Sequence, residues 1–346
     1  MSSVTIHERP GVYSAYDASS VVRGRGGSRT VAIAAKSEGG TAGTLYRLGR
    51  YEEAVTAFGA GDSLTGLVRL LFLNGAGAVL AVPVEEDDEY EAAFALLAAE
   101  EDVAVTVCDS ATLTVQQDLR DSVEEASGAR RERIAVVPGG AGETAAQLAQ
   151  RAGDINSERV VLAAPCEKSG TAGSVAAAVA GVIAGESDPA LPLGGAEVLG
   201  LGELERSFDD NELDTLILGG VTALEQSGGE TTVVRGITTR TKTGEAADAT
   251  WRELSTILIV DEVIPGIRNA LRSRFRRAKN TEQSRGAIRS QVVLELEDRL
   301  SREIITGYDN VTVTASEADP TVCLVEFSFT VTHGVNQIWL TAHISV

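Results

Sequence analysis

Two glycine-rich loops of this 346-residue sequence have residue types that could bind a phosphate group. SEGGTAGT (37–44) follows a predicted strand and precedes a predicted helix, which is where phosphate-binding loops lie. EKSGTAGS (167–174) repeats this arrangement after another predicted strand. Neither loop ends in Gly-Lys-Ser/Thr, and neither has the glycine spacing of a dinucleotide fingerprint. We therefore interpret both as tight strand-to-helix turns and predict no cofactor.

The histidines and cysteines are too dispersed to predict a catalytic or metal site. The three histidines lie in the terminal segments, away from cysteine or carboxylate clusters at ligand spacing. The three cysteines are far apart and odd in number, which argues against a disulfide framework. No Gly-x-Ser-x-Gly elbow is present. The sequence therefore predicts neither an enzyme nor a metal site. The residues concerned are His7, His333, His343, Cys108, Cys166 and Cys323.

The segment RNALRSRFRRAK (268–279) carries the densest positive charge of the chain. On a helix, Arg268, Arg272 and Arg276 fall on one stripe, with Lys279 close to it. One interpretation is a solvated face that pairs with neighbouring acids. The other is a docking face for an acidic surface, including that of another copy, since the chain has 50 acidic and 30 basic residues and a net charge of −20. That balance argues against nucleic acid as the partner.

The elements that must position these residues alternate regularly in the first two thirds of the chain. Short apolar runs alternate with amphipathic segments, which is typical of βαβ units around a mostly parallel sheet. The rhythm stops near Gly219, and residues 231–240 are predicted to be a strand in a different setting. The predicted strands are 30–35, 78–84, 103–108, 133–138 and 159–165.

The last hundred residues have a different pattern. Helices are predicted over 251–279 and 284–305, followed by strands over 323–331 and 338–346. A strand that runs to the final residue presents a free sheet edge. We therefore predict an α/β fold with an α+β C-terminal domain that ends in a β-hairpin. The apolar stripe of the last strand comprises Ile338, Leu340, Ala342 and Ile344.

The segment ERPGVYSAY (8–16) is predicted to be an extended arm. Pro10 and Gly11 prevent a helix there. Val12 and Tyr13 are residues that proteins normally bury, and they would lie on opposite faces of a strand. The predicted division of the chain is an arm over 1–29, a middle α/β domain over 30–230 and a C-terminal domain over 231–346.

Hydropathy predicts a soluble protein without membrane insertion. No apolar run approaches 18 residues, and the first residues lack the basic-plus-hydrophobic pattern of a leader peptide.

These features together resemble the contractile tail sheath proteins of phages and phage-like particles, in the short form without large surface insertions. The resemblance is carried by ERPGVYS (8–14), ILIVDEVIPGIRNALRSRF (257–275) and RGAIRSQVVLELEDRLSREIITGY (285–308), with the terminal strands in support. Between residues 31 and 229 only the general βαβ character agrees. The C-terminal third matches best.

The resemblance implies a structural subunit that polymerises as stacked rings around a tail tube, assembled in the host bacterial cytoplasm. The C-terminal domain, completed by chain from near the amino terminus, would line the inside, and the middle domain would face outward. Terminal arms would add strands to neighbouring subunits. A baseplate signal would trigger contraction that drives the tube through a target envelope. The implied partners are other copies, the tube protein, and baseplate and tail terminator proteins. Phage tails, bacteriocin-like particles and other contractile injectors share such subunits.

Two other function classes stay open at this point. The βαβ rhythm is also typical of α/β enzymes and small-molecule-binding proteins, because fold alone does not fix function. A shell or tube component is a third interpretation, although such proteins usually lack two arm-like termini that bracket an α/β body.

Overall fold

The centre of the fold is an eight-stranded sheet in which six neighbouring strands are parallel. The structure is a computed structural model that describes residues 29–336 and 338–342. The spatial order of the strands is β2-β3-β1-β4-β5-β6-β7-β8. The two outer strands, β2 and β8, are antiparallel to their neighbours. The strands are β1 Thr30–Lys36, β2 Tyr46–Leu48, β3 Ala78–Val84, β4 Val103–Cys108, β5 Ile134–Pro138, β6 Val160–Ala164, β7 Val221–Ser227 and β8 Glu230–Val233.

Helices cover both faces of this sheet, which explains why its central strands β1 and β3 to β6 are largely apolar rather than alternating. In β1, Val31 and Ile33 pack into the core on one side, and Ala32 and Ala34 into the core on the other. The first side is covered by α1 Tyr51–Phe58, α2 Ser63–Asn74 and α6 Ser174–Gly185. The second side is covered by α3 Tyr90–Ala99, α4 Leu113–Gly128, α5 Ala145–Ile155 and α7 Asp210–Leu218.

Helices α2 and α6 pack unusually closely because glycines line their contact. A Cβ atom added at Gly181 would lie 2.7 Å from the Cβ of Asn74 and 2.8 Å from the carbonyl oxygen of Leu71. One added at Gly185 would lie 3.0 Å from the Cα of Gly75. Every residue of α6 except its last is buried, so the alanine-rich sequence of this helix reflects full enclosure.

The C-terminal part consists of two long helices and a β-hairpin around a small core of their own. The helices are α8 Leu254–Phe275 and α9 Glu282–Ser301, and the hairpin strands are β11 Ile305–Ala315 and β12 Cys323–Val331. Between the two parts, β9 Lys242–Thr243 and β10 Ala246–Ala247 form a short ladder. One face of β12, including Phe327 and Phe329, packs on this core, which α8 and α9 fill with Ile259, Val263 and Leu296.

Helix α8 joins the two parts of the molecule. Leu254 and Ile257, in its first turn, are buried in the core of the large sheet. Asp261, one turn later, accepts two hydrogen bonds at 2.8 and 3.0 Å from Arg159, at the start of β6. Both side chains are largely buried, at 13% and 15% exposure. This bidentate pair fixes the orientation of α8 relative to β6 as well as the distance between them.

The predicted α/β class and most of the predicted strands are confirmed. The alternation of strands and helices, however, continues further along the chain than the sequence predicted. Helix α7 and strand β7 add one more parallel unit after residue 209. The strand expected over 231–240 in a different setting is β8, which lies at the edge of the same sheet. The predicted division at 230/231 therefore falls within the β7–β8 hairpin.

The C-terminal hairpin is present, although its strands are not the predicted pair. Strand β12 matches the prediction, but it pairs with β11, which the sequence did not predict. The strand predicted over 338–346 is wrong for residues 338–342, which lie outside any helix or strand. Helix α8 ends at Phe275. Lys279 therefore lies outside the helix, although the sequence predicted a helix as far as residue 279.

Candidate functional site: assembly surfaces

The first glycine-rich loop is already occupied by a carboxylate of the same chain. Asp62, the N-cap residue of α2, accepts hydrogen bonds from the backbone N–H groups of Glu38 and Gly39 at 2.9 and 3.2 Å. It also accepts from the Ser37 hydroxyl at 2.9 Å and from the Leu64 N–H at 2.8 Å. These are the donors that a phosphate would need. The loop is therefore a closed turn.

The second glycine-rich loop borders a cavity of about 310 Å³ at the carboxyl ends of β4, β5 and β6, where α/β enzymes bind ligands. Carboxylates dominate its polar lining, among them Glu167 and Glu205, which accept hydrogen bonds from Gly202 and Gly142. Burial, together with the charge of Glu205, raises the pKa of Cys166 to about 11. This thiol is almost entirely protonated at neutral pH, which makes it a poor nucleophile.

The structure brings no metal-ligand cluster together. Within residues 29–336 and 338–342, no group of three or more His, Cys, Asp and Glu side chains could hold a metal ion. Burial also raises the pKa of Cys108, next to the buried carboxyl of Asp109. His333 is exposed, whereas His7 and His343 lie outside the described residues. In the same part of the chain, none of the helices is both long and apolar enough to cross a bilayer.

The predicted basic stripe divides into two parts. Arg268 faces the large sheet's domain and pairs with Glu132 at 2.6 Å, with its side chain 33% exposed. Arg272 lies in the last turn of α8, Arg276 at its C-cap and Lys279 beyond it, and all three are exposed. Within the described ranges none of these three makes an ion pair. Only Arg272, Arg276 and Lys279 remain available to a partner.

The β11–β12 sheet has open edges. Each of its two strands has a strand neighbour on one side only, as far as residues 29–336 and 338–342 show. The outward side chains of β12, such as Leu324 and Glu326, alternate with the half-buried face. Two strands alone are a marginal sheet, and unpaired edges are sites for strand addition. Sequence reasoning missed β11 and expected the free sheet edge at the strand predicted over 338–346 instead.

An exposed apolar segment follows β12 in the sequence. Ile338 is 85% exposed and Leu340 91% exposed, and Ala342 is exposed as well. The other predicted arm residues, which are Pro10, Gly11, Val12, Tyr13 and Ile344, lie outside the described residues.

Two models of one protein family match this chain. The phage tail sheath protein central domain matches residues 86–239, and the phage tail sheath C-terminal domain matches residues 246–345. Together they cover well over half of the sequence. The chain belongs to the phage tail sheath family. The predicted resemblance is confirmed, and the chain is a structural component of a tail rather than an enzyme.

Individual relatives agree with this assignment. The tail sheath protein of Bacillus phage SP01 is 27% identical over 253 residues, which is 70% of this chain but only 43% of the phage protein. This chain thus spans less than half the length of that curated relative. The fold is similar to the helical sheath of the anti-feeding prophage in its contracted state, with TM-score 0.73, 15% identity, and coverage of 98% of this chain and 100% of the other. A chain of the anti-feeding prophage baseplate gives TM-score 0.74, 14% identity, and coverage of 99% and 100%.

Proposed function

We propose that this sheath subunit polymerises by strand exchange into stacked rings around a tail tube and contracts to drive the tube through a target envelope. One observation carries the proposal: a two-stranded sheet with open edges is followed in the sequence by an exposed apolar segment. Strand addition to an edge uses backbone hydrogen bonds for attachment and alternating side chains for register. The arrangement fits a chain that completes its fold in a neighbour.

The proposed inter-subunit contacts lie in both terminal segments. From the C-terminal one, Ile338, Leu340, Ala342 and Ile344 would pack on the sheet of a neighbouring copy, where their apolar side chains lose contact with water. From the N-terminal one, Pro10, Gly11, Val12 and Tyr13 would enter as a second added strand. The proposed division of the chain is an arm over 1–29, a middle domain over 30–230 and a C-terminal domain over 231–346, with the terminal segments as the links between copies.

Contraction becomes physically possible if the strand links between copies persist while the rigid domains rotate. Terminal segments can absorb a large change in backbone angles while the packed domains keep their structure. The contracted packing must be lower in free energy than the extended one, through wider burial or better charge pairing between copies. The similarity to the contracted sheath of the anti-feeding prophage supports a fold compatible with this state.

The exposed part of the basic stripe is proposed to contact the tube or a neighbouring subunit. Arg272, Arg276 and Lys279 are exposed and lack acidic partners among the described residues. Arg268 would support this surface from within by its pair with Glu132. Reversing the charge at Arg272 and Arg276 should impair assembly of the sheath on its tube. Unaffected assembly would remove these residues from the proposal.

The partners proposed for the assembled particle are further copies of the chain, the tube protein, and the baseplate and tail terminator proteins. The net charge of −20 supports proteins rather than nucleic acid. Assembly would take place in the host bacterial cytoplasm, before release of the virion or particle.

Negative-stain electron microscopy of the purified protein tests the proposal directly. We expect hollow cylinders with helical striations, and removal of residues 1–16 should abolish them while leaving a folded monomer. The folded state of the shortened chain is checked by circular dichroism. Uniform small particles of the full-length protein at high concentration would contradict the proposal, and cylinders from the shortened chain would contradict the arm's role.

A further inference from the structure

A concave groove lies between α3 and α4, on the second side of the large sheet. Its residues are distant in sequence from the basic segment. Its volume is about 470 Å³. The floor is made of small side chains, with Ala95 and Ala98 from α3 and Ala126 from α4. Small residues let an incoming side chain approach the two helices closely. The groove is therefore shaped for long, narrow side chains.

Four of the five charged side chains that line this groove are acidic. Asp121 pairs with Arg120, and the one cation, Arg131, donates a hydrogen bond to the carbonyl oxygen of Ala99 at 3.3 Å. The remaining acids are Glu91 from α3, and Asp118 and Glu125 from α4. In residues 29–336 and 338–342, none of the three makes an ion pair or a side-chain hydrogen bond. Partial burial and the charges of Glu91 and Asp121 raise the pKa of Asp118. The carboxylates thus repel one another, and a cation in the groove would relieve this repulsion.

The opposite charge is displayed by the segment 272–279. Five cations and no acid occur in these eight residues: Arg272, Arg274, Arg276, Arg277 and Lys279. All five are exposed. Arg274 donates a hydrogen bond to Gln291, and no carboxylate of the described part of the chain pairs with any of the five. A cluster of this density is unusual in a chain with a net charge of −20.

From this complementarity we propose that the groove between α3 and α4 of one copy receives the basic segment 272–279 of a second copy. The inference rests on the proposed polymerisation and deepens it by naming the surface that faces the basic segment. In the single chain the groove and the segment are both open, and neither neutralises the other. Each copy therefore carries one acidic and one basic surface. They adjoin, because the cavity that Arg272 lines shares Ala129 and Arg131 with the groove.

Reciprocal pairing of these surfaces between two copies would close a dimer, whereas head-to-tail pairing along a series of copies is a heterologous contact that generates rings or helices. This symmetry is the one that a sheath needs. The contact is built from exposed charges, so it adds specificity and speed of association more than raw affinity, and it weakens with salt.

A charge-swap experiment on the full chain tests the proposal. The groove variant combines Glu91→Lys, Asp118→Lys and Glu125→Lys, which changes the net charge of the lining from −3 to +3. The segment variant combines Arg272→Glu, Arg276→Glu and Arg277→Glu, which changes the net charge of residues 272–279 from +5 to −1. Each should raise the critical concentration for polymerisation about tenfold or more, because like charges now meet. Combining all six substitutions should restore polymerisation to within about threefold of the unmodified protein, because opposite charges meet again.

Matched controls come from exposed charges outside both surfaces. Glu52→Lys on α1 and Arg69→Glu on α2 shift the net charge in the same directions, by two units each, and should leave polymerisation unaltered. Thermal unfolding of every variant checks that the monomer is folded. Close approach is tested independently by mixing Ala95→Cys chains with Ala278→Cys chains and adding a short bismaleimide, which should link two copies.

The outcomes separate this inference from the proposed function. If the unmodified protein forms no cylinders, the proposed function fails first and the inference with it. If cylinders form and either charge-reversed variant polymerises normally, or the sixfold variant is not rescued, only the inference is overturned. If the segment variant polymerises normally alone but fails to assemble on the tube, the segment's partner is the tube protein and the inference is overturned.

Discussion

At the scale of single residues, the environment decides which charges are structural and which are available. Arg268 and Arg272 are one helical turn apart on α8 and look equivalent in the sequence. Arg268 reaches Glu132 across the boundary between the two parts of the molecule, whereas Arg272 projects into solvent. The Glu132–Arg268 pair therefore belongs to the fold, together with the more buried Arg159–Asp261 pair.

The pair between Arg268 and Glu132 predicts a specific pH dependence. Burial alone would raise the pKa of Glu132, but the hydrogen bond and charge of Arg268 outweigh it, so the pKa lies below its usual value. A depressed carboxyl pKa stabilises the fold above the unfolded-state pKa, and this contribution is lost as the pH falls through the folded-state pKa. Arg268→Ala should therefore lower the free energy of unfolding by about 1 kcal/mol at pH 7 and by much less near pH 3.

Chemical denaturation of the monomer at the two pH values measures this difference. Arg272→Ala is the matched control and should have no effect at either pH, because Arg272 is exposed and has no acidic partner among the described residues. Equal losses for both variants would mean that the ion pair does not stabilise the folded chain.

At the scale of elements, close packing of α2 against α6 holds one layer of the large domain together. Because a Cβ at Gly181 would meet backbone and side-chain atoms of α2 at less than 3 Å, Gly181→Ala must push the helices apart. We expect a loss of about 2 kcal/mol in the free energy of unfolding.

Gly153→Ala in α5 is the matched control for this helix contact. A Cβ at Gly153 meets no atom within 4 Å, so the higher helix propensity of alanine should stabilise the protein by up to about 1 kcal/mol. The two substitutions should thus shift the denaturation midpoint in opposite directions. A stabilising Gly181→Ala would show that the contact between α2 and α6 is loose.

The elements also show how far sequence patterns reach. Runs such as AVLAVPV in β3 are apolar throughout because both faces are buried, and they were predicted within a residue or two. Strand β11 escaped prediction because its sequence ITGYDNVTVTA contains Gly307 and Asn310, which suggest a turn, and because most of its side chains are exposed. Asn310 has a φ of 56° near an irregularity in the ladder, so the residue that suggested a turn marks a bulge inside the strand.

The candidate surfaces were predictable only in part, because a sequence pattern reveals only residues that are close together in the chain. The basic segment is local in sequence, so its charge could be read directly. The acidic groove combines residues of α3 and α4 that are some 30 positions apart, and no pattern within either helix reveals it. That Asp62 fills the first glycine-rich loop was equally hidden, because the loop and its carboxylate are separated by a helix.

At the scale of the whole molecule, the C-terminal sheet differs from the large sheet because each of its two strands has an unpaired edge among the described residues. The exposed terminal segment contributes little to the monomer, so its residues should matter only for assembly. Replacing Ile338 and Leu340 by Ser should leave the melting temperature unchanged, because their side chains are 85% and 91% exposed. The same change should strongly reduce polymerisation, since the buried apolar area of the added strand is lost.

Sedimentation velocity over a concentration series measures this effect. Leu191→Ser with Leu218→Ser is the control, because these side chains are 54% and 65% exposed elsewhere on the surface. If the control variant loses as much polymer as the terminal variant, a general loss of surface hydrophobicity is responsible. A lower melting temperature of the terminal variant would show that the segment already packs within the monomer.

The open edge of the β11–β12 sheet has a consequence for the ends of any polymer built by strand addition. Each added copy fills an edge below it and brings a new unfilled edge with it. One terminus of the filament therefore always displays acceptor edges, and the other displays donor segments without a host. Such a filament has a direction, grows differently at its two termini, and requires chemically different caps to stop it.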